Sequence, residues 1–495
     1  ELKRRNYELA KQYASRSVDF NKYNLIAASY RISANRKLGR NAIAKENIKA
    51  LLQIDPLNQY ARFEQYLGNG RENEAGIFQD GIKNEFPHET YLELAIRYHA
   101  AGMDEEAVKV LRLAPSQAIV HYWLAYLLKD TAGQESKNLL AKAESFSPRL
   151  VFPFRPETLA VLEWAQQQAP SWKNAYYCGL IHWNNNNLQK AKELFEKCGD
   201  QPDYAPFYIS RGALFSDDSS KRSIVLNDFL KAIKLEPGEW RGWSALSNYY
   251  ESNGSFVQQY ENAGKAYHKF SSNPIISVNY ARALLNVKTP KKCIEVLNKT
   301  LILPQEGAKE GHELFEMAHV ALALDLIGNK RYKEAAGSLE QAKLFPEALG
   351  EGKPYDPDYR LTDYLLAYCA RQSGNREKAK EFEKSIMDYS SDPEKFNVAR
   401  NATSNYLSVL LLRKNGHEKL AADLVAGWEH IQDSLAKWQI SKTAVPIPMQ
   451  WVISKFDNPS AGTRAIEEKI AGSGKVTQFS LFLRAMDLMD NEKNN

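Results

Sequence analysis

Small side chains return at fixed positions along this chain, and that recurrence limits the fold more than any other feature. The pattern is W-x2-L-G-x2-Y, then A-x3-F, then a later proline, in relaxed form. Tyr91, Leu94, Ala95 and Tyr98 fill its first half, and Ala107 and Leu111 its second. The same register takes Ala175, Cys178, Gly179 and His182 with Ala191 and Phe195, then Trp243, Leu246, Ser247 and Tyr250. It returns as Ser277, Tyr280, Ala281 and Leu284 with Cys293 and Leu297, and as His319, Leu322, Ala323 and Leu326 with Ala335 and Leu339. Asp363, Leu366, Ala367 and Ala370 with Ala379 give the last clear copy.

The demand behind this spacing is steric. One helix needs a small residue where a second crosses it, and the second needs a small residue facing back. Gly179, Ala281, Ala323 and Ala367 meet the first need, and Ala107, Ala191, Ala335 and Ala379 the second. Gly39, Gly102, Gly254, Gly328, Gly374 and Gly416 are expected between the two helices of a pair, with Pro56, Pro237, Pro274 and Pro304 at helix borders. Sustained period-2 alternation is absent, so the expectation is an all-α fold. Residues around 58–87, 117–148, 205–237 and 402–430 read as degenerate pairs. The whole resembles a tetratricopeptide-repeat solenoid, a right-handed superhelix of about eleven helix pairs. We expect that solenoid over residues 1–432 and an irregular and helical C-terminal cap over 433–495, with an amphipathic segment at Phe479 to Met489 covering the end of the array.

Composition narrows the function. The 495 residues carry 65 Lys and Arg against 60 Asp and Glu, a net +5 too dilute for a phosphate-binding stripe, which argues against nucleic acid. No apolar run reaches membrane-span length, so the chain reads as soluble, cytoplasmic or exported. The opening ELKRRNYELA lacks an initiator Met and a signal pattern, so we read a processed chain or part of a larger protein. Cys178, Cys198, Cys293 and Cys369 lack metal-site spacing and read as buried filler.

No catalytic motif and no cofactor site is found: G-x-S-x-G, the P-loop and G-x-G-x-x-G are all missing. His312, Glu316 and His319 share one helix face, yet the spacing is not that of a zincin and His319 occupies a repeat core position. Trp164, Trp172, Trp183, Trp240 and Trp243 cluster near Asn184 to Asn187, which suggests a glycan groove or, more simply, core and turn. In a solenoid the ligand usually lies on the concave face built by first helices. Tyr176, Trp183, Arg241, Asn248, Asn279 and Arg282 are the residues expected there, where Arg and Asn would grip a peptide carboxylate or backbone. The small second-helix residues at 293, 335, 379 and 421 stand 42, 44 and 42 apart, more than the roughly 34 of a minimal repeat. The surplus lies in ILPQEGAKEG, FPEALGEGKPYDPDYR and SSDPEKFN. These loops should stand together on one edge, as a docking surface or as tolerated insertions.

DPLNQYARFE (55–64), FPHETYLELAIRY (86–98), FPFRPETLAVLEWA (152–165), LPQEGAKEGHELFEMAH (303–319) and EALGEGKPYDPD (347–358) add a finer resemblance. In this order they are similar to the repeat region of large bacterial proteins that begin with a galactose-mutarotase-like β-sandwich domain of unknown function. The resemblance implies a carbohydrate-related context and a partner in the missing β-sandwich half, and it carries over no catalytic residue. Our reading is therefore a binding or scaffold module for a protein or peptide partner. An accessory role in a carbohydrate-active enzyme and direct glycan binding are the alternatives.

Overall fold

In the computed structural model the described residues are 1–69, 73–305, 308–392, 401–437, 446–457 and 463–493. They contain helices and turns and no strand. Contacts divide the chain into two units, Glu1–Asp217 and Asp218–Asn495.

The first unit runs through α1 (Tyr7–Phe20), α2 (Leu25–Lys37), α3 (Asn41–Ile54), α4 (Gln59–Asn69), α5 (Asn73–Asp80), α6 (Pro87–Ala100) and α7 (Asp104–Arg112). It continues with α8 (Ala118–Leu128), α9 (Gly133–Ser145), α10 (Glu157–Gln168), α11 (Trp172–Asn184), α12 (Leu188–Cys198) and α13 (Ala205–Phe215). The hairpins are α2/α3, α4/α5, α6/α7, α8/α9 and α11/α12. Three helices stand outside this pairing, α13 at the end of the unit and two others. α1 packs on α2, and α10 packs between α8 and α11.

The second unit holds α14 (Arg222–Leu235), α15 (Trp240–Ser252), α16 (Phe256–Lys269), α17 (Pro274–Asn286), α18 (Pro290–Leu297), α19 (Glu310–Gly328) and α20 (Tyr332–Ala342). Then come α21 (Arg360–Gln372), α22 (Arg376–Ser391), α23 (Ala402–Lys414), α24 (Glu418–Lys437), α25 (Ile447–Asp457), α26 (Arg464–Ser473) and α27 (Gln478–Lys493). Its hairpins are α15/α16, α17/α18, α19/α20, α21/α22 and α23/α24. Each second helix packs on the first helix of the next pair, and first helices also touch each other, as α15 with α17 and α21 with α23. Such stacking makes an all-α helical-hairpin solenoid. With ten hairpins inside the units, the pair expected over 205–237 becomes α13 and α14, one on each side of the unit boundary.

The small-residue rule has a direct physical counterpart. A Cβ added at Gly179 would lie 2.8 Å from the Phe195 ring of the partner helix, far inside van der Waals contact. Ala281, Ala323 and Ala367 are fully buried, as are Ala107, Ala191 and Ala335. Five hairpin turns close on a left-handed glycine, at 39, 102, 254, 374 and 416. Gly328 does not take this conformation: it ends α19, and Lys330 two residues on holds φ +58°. Asn186 does the same before α12, and Asn187 caps that helix through Lys190 N–H, so the asparagine run is turn and cap.

Candidate functional site

The residues expected on the ligand face separate by burial and partner. In the first unit Tyr176 is buried, wedged among Trp172, Phe195 and Phe207, so its ring belongs to the core and not to an open face. Trp183 is half-buried with its ring edge-on to Phe195. In the second unit Asn279 is buried and donates to Ser244 Oγ at 2.8 Å. Arg282 pairs with Glu310 and with Glu251. Arg241 pairs with its neighbour Glu239 at 2.7 Å, and Asn248 is exposed.

The first-helix face of the second unit is covered by the chain's own C-terminal segment. Lys475 Nζ meets Glu251 on α15 at 2.6 Å, Val476 N–H donates to Asn286 Oδ1 on α17 at 3.1 Å, and Arg484 donates to Asp325 on α19 at 2.6 Å. Phe482 is fully buried beside Tyr406 of α23. Leu481, Ala485 and Met489 join the core formed by α17, α19, α20 and α21. These three recur every four residues, the spacing of one helix face. The amphipathic segment was legible in the sequence, but its resting place along the first helices was not.

Under this segment lies a cavity of about 380 Å³. Glu316, Met317 and Val320 on α19 form one wall, with Asp358, Leu361 and the start of α23 opposite. Pro448, Met449, Gln478 and Phe479 from α25 and α27 close it. Asp358 is held by Arg360 at 2.7 Å and by Asn401 at 2.7 Å. Those bonds keep its carboxyl below its ordinary value against the opposing effect of burial. Burial, followed by the charges of Asp358, Glu313 and Glu351, pushes Glu316 up to about 7.

The two histidines beside Glu316 have other engagements. His312 stacks on Phe345 and bonds the Leu344 carbonyl at 3.1 Å. His319 pairs with Ser338 Oγ at 3.2 Å, and burial lowers it to about 4.

Of the long loops, the first two are joined: Ile302 N–H donates to the Ala348 carbonyl at 2.8 Å. Residues 306–307 of the first loop and 393–397 of the third lie outside the described residues. Just past the third, Asn401 reaches Asp358 of the second. The five clustered tryptophans are half-buried, Trp164 against Tyr126 and Trp172 against Phe207, while Trp243 donates to the Pro237 carbonyl at 3.3 Å. All four cysteines are free and buried. Among the described residues no helix is long and apolar enough to cross a membrane.

No known family's sequence profile matches this chain, and no curated protein does. Among solved structures it is similar to PilF of Pseudomonas aeruginosa, at 15% identity and a TM-score of 0.28, over 45% of this chain and 94% of that one. It is also similar to a tetratricopeptide repeat protein from Parabacteroides merdae, at 12% identity and a TM-score of 0.28, over 57% of this chain and 98% of that one.

Proposed function

We propose that this chain is a non-catalytic docking scaffold, and that the first-helix face of its second unit recognises an amphipathic helix. The observation that carries this reading is α27 itself. It offers an apolar stripe of Leu481, Ala485 and Met489 to that face, with Arg484 on the helix set against Asp325 and Lys475, just before it, against Glu251. A groove with an apolar floor and acidic rim suits a helix with an apolar stripe and basic flanks, whether in cis or from a partner. The test is fluorescence anisotropy of a labelled peptide spanning residues 475–493 titrated with the intact chain. Saturable binding that weakens in Asp325→Arg, and recovers with an Arg484→Glu peptide, is expected. Absence of binding at peptide excess would remove the groove from consideration as an exchangeable site.

The sequence resemblance supports a finer version, in which the scaffold serves a larger carbohydrate-related bacterial protein and holds its β-sandwich half. Size-exclusion chromatography of this chain mixed with a separately expressed β-sandwich domain of that kind tests it. Co-elution is the expected outcome, and separate elution would leave an outside peptide as the partner.

A further inference from the structure

We infer that the cavity beneath α27 binds a small organic cation, an ammonium compound carrying an apolar body. The argument starts from charge. Among the described residues, Glu316 and Asp358 are the charged residues of the lining, with no Lys, Arg or His beside them. Asp358 is already neutralised by Arg360. Glu316 makes no hydrogen bond or ion pair among the described residues. Elsewhere in the same unit Glu251, Asp325, Asp363 and Glu383 each hold a lysine or arginine. A half-buried carboxyl facing open volume, with no counter-charge among the described residues, is costly in its ionised form and holds a proton instead unless something supplies that charge.

The rest of the wall specifies the ligand further. Phe479 offers a π surface, and Met317 and Met449 offer polarisable thioethers, both suited to the skirt of an organic cation. A bare metal ion does not fit, because it would find a single free carboxylate, and no group of three potential ligands converges among the described residues. A neutral polyol would leave the ionised form of Glu316 without a counter-charge, and so would gain nothing from it that an alcohol elsewhere would not. The volume, about 380 Å³, falls in the range of small-molecule sites.

Binding should also move a proton. Glu316 faces Glu313 on its own helix and Glu351, Asp358 and Tyr359 from the segment before α21. Arg360 is turned toward Asp358, Asn405 and Ser408, and the cavity residues from α25 and α27 carry no charge. An entering cation therefore drives Glu316 to its ionised form. Near neutral pH a fraction of a proton leaves for each ligand bound, and affinity falls as the pH drops below 7.

The experiment is isothermal titration calorimetry on the intact chain at pH 8 and pH 6. The ligands are 2-phenylethylammonium, benzylammonium and choline, with 2-phenylethanol and a disaccharide as neutral controls. Saturable one-to-one binding by at least one ammonium compound is expected, ten-fold or more tighter than 2-phenylethanol and weaker at pH 6. Glu316→Gln, nearly isosteric, should abolish that preference while its far-ultraviolet circular dichroism stays unchanged. Phe479→Leu should weaken binding several-fold with the pH dependence retained. No binding by any of the three, equal binding by the alcohol, preference for the disaccharide, or an unaffected Glu316→Gln variant would each overturn the proposal. Because α27 stays in place throughout, the result does not depend on whether that helix exchanges.

Discussion

Arg484 on α27 donates to Asp325 on α19 at 2.6 Å, across 159 residues of sequence. Both side chains are about half exposed, so the pair contributes at most about 1 kcal/mol and weakens with salt. Its consequence is placement. With Lys475 on Glu251 it fixes which way α27 lies along the first helices, while the apolar stripe supplies most of the attraction. Arg484→Glu sets two carboxylates face to face and should speed hydrogen exchange of the α27 amides several-fold. Adding Asp325→Arg should restore protection. Equal exchange in all three proteins would mean that apolar packing alone positions the helix.

The first unit carries a different kind of first-helix contact. Arg36 on α2 bonds Glu64 on α4 at 2.6 Å and Glu106 on α7 at 3.0 Å. Glu64 also accepts from Ser33 at 2.6 Å and from Tyr98 of α6 at 3.0 Å, with its own side chain fully buried. Three first helices, α2, α4 and α6, thus meet at one carboxylate. Arg36→Ala leaves it with a stranded charge and should cost about 3 to 5 kcal/mol. Urea unfolding measures this, and a second change, Glu64→Gln, should recover part of the loss. A single-site cost below about 1 kcal/mol would show that water reaches the carboxylate after all.

Two helical glycines should respond in opposite directions to the same methyl group. Gly179→Ala drives a Cβ into the Phe195 ring and should destabilise the protein by about 1 to 3 kcal/mol. Gly337 on α20 has open space around the added carbon and no positive φ. There alanine should stabilise by up to about 1 kcal/mol through helix propensity. Denaturation midpoints of the two variants test the repeat register, which requires the signs to differ.

That contrast also marks what the sequence could reveal. Gly179 was legible because a repeat imposes one local rule many times, and a small residue at a crossing is required by geometry wherever the crossing occurs. Tyr176 was misplaced because register gives a residue's position around the helix axis. It does not give the size of the neighbours, and Trp172, Phe195 and Phe207 close over that ring. Gly328 was expected between two helices but ends α19 instead, and the left-handed turn residue is Lys330, because α19 runs to Gly328 before the chain reverses. α10 left no trace in the pattern, as an extra helix between hairpins repeats nothing. The docking of α27 depends on contacts at separations beyond 150 residues, such as Val476 with Asn286, which no local period encodes.

Acid and base should expose the two largest titration shifts on α19, those of Glu316 and His319. Glu316 sits at about 7 in the folded chain against an ordinary 4.5. Between those values the folded state keeps a proton that the unfolded state has lost, so stability falls as pH rises from 4.5 to 7, by about 2 to 3 kcal/mol. His319 lies at about 4 against an ordinary 6.5, because burial disfavours its charged form. There the unfolded state gains a proton first, so stability falls as pH drops from 6.5 to 4. The two trends oppose each other between pH 4.5 and 6.5. Glu316→Gln removes one of them, so the variant should melt several degrees above the parent at pH 8 and close to it at pH 4.5. Its melting temperature should then drop on acidification below pH 6.5 more steeply than the parent's, as the histidine acts unopposed. A difference between the two proteins that stays constant from pH 8 to pH 4.5 would show that the Glu316 carboxyl titrates as it does in water.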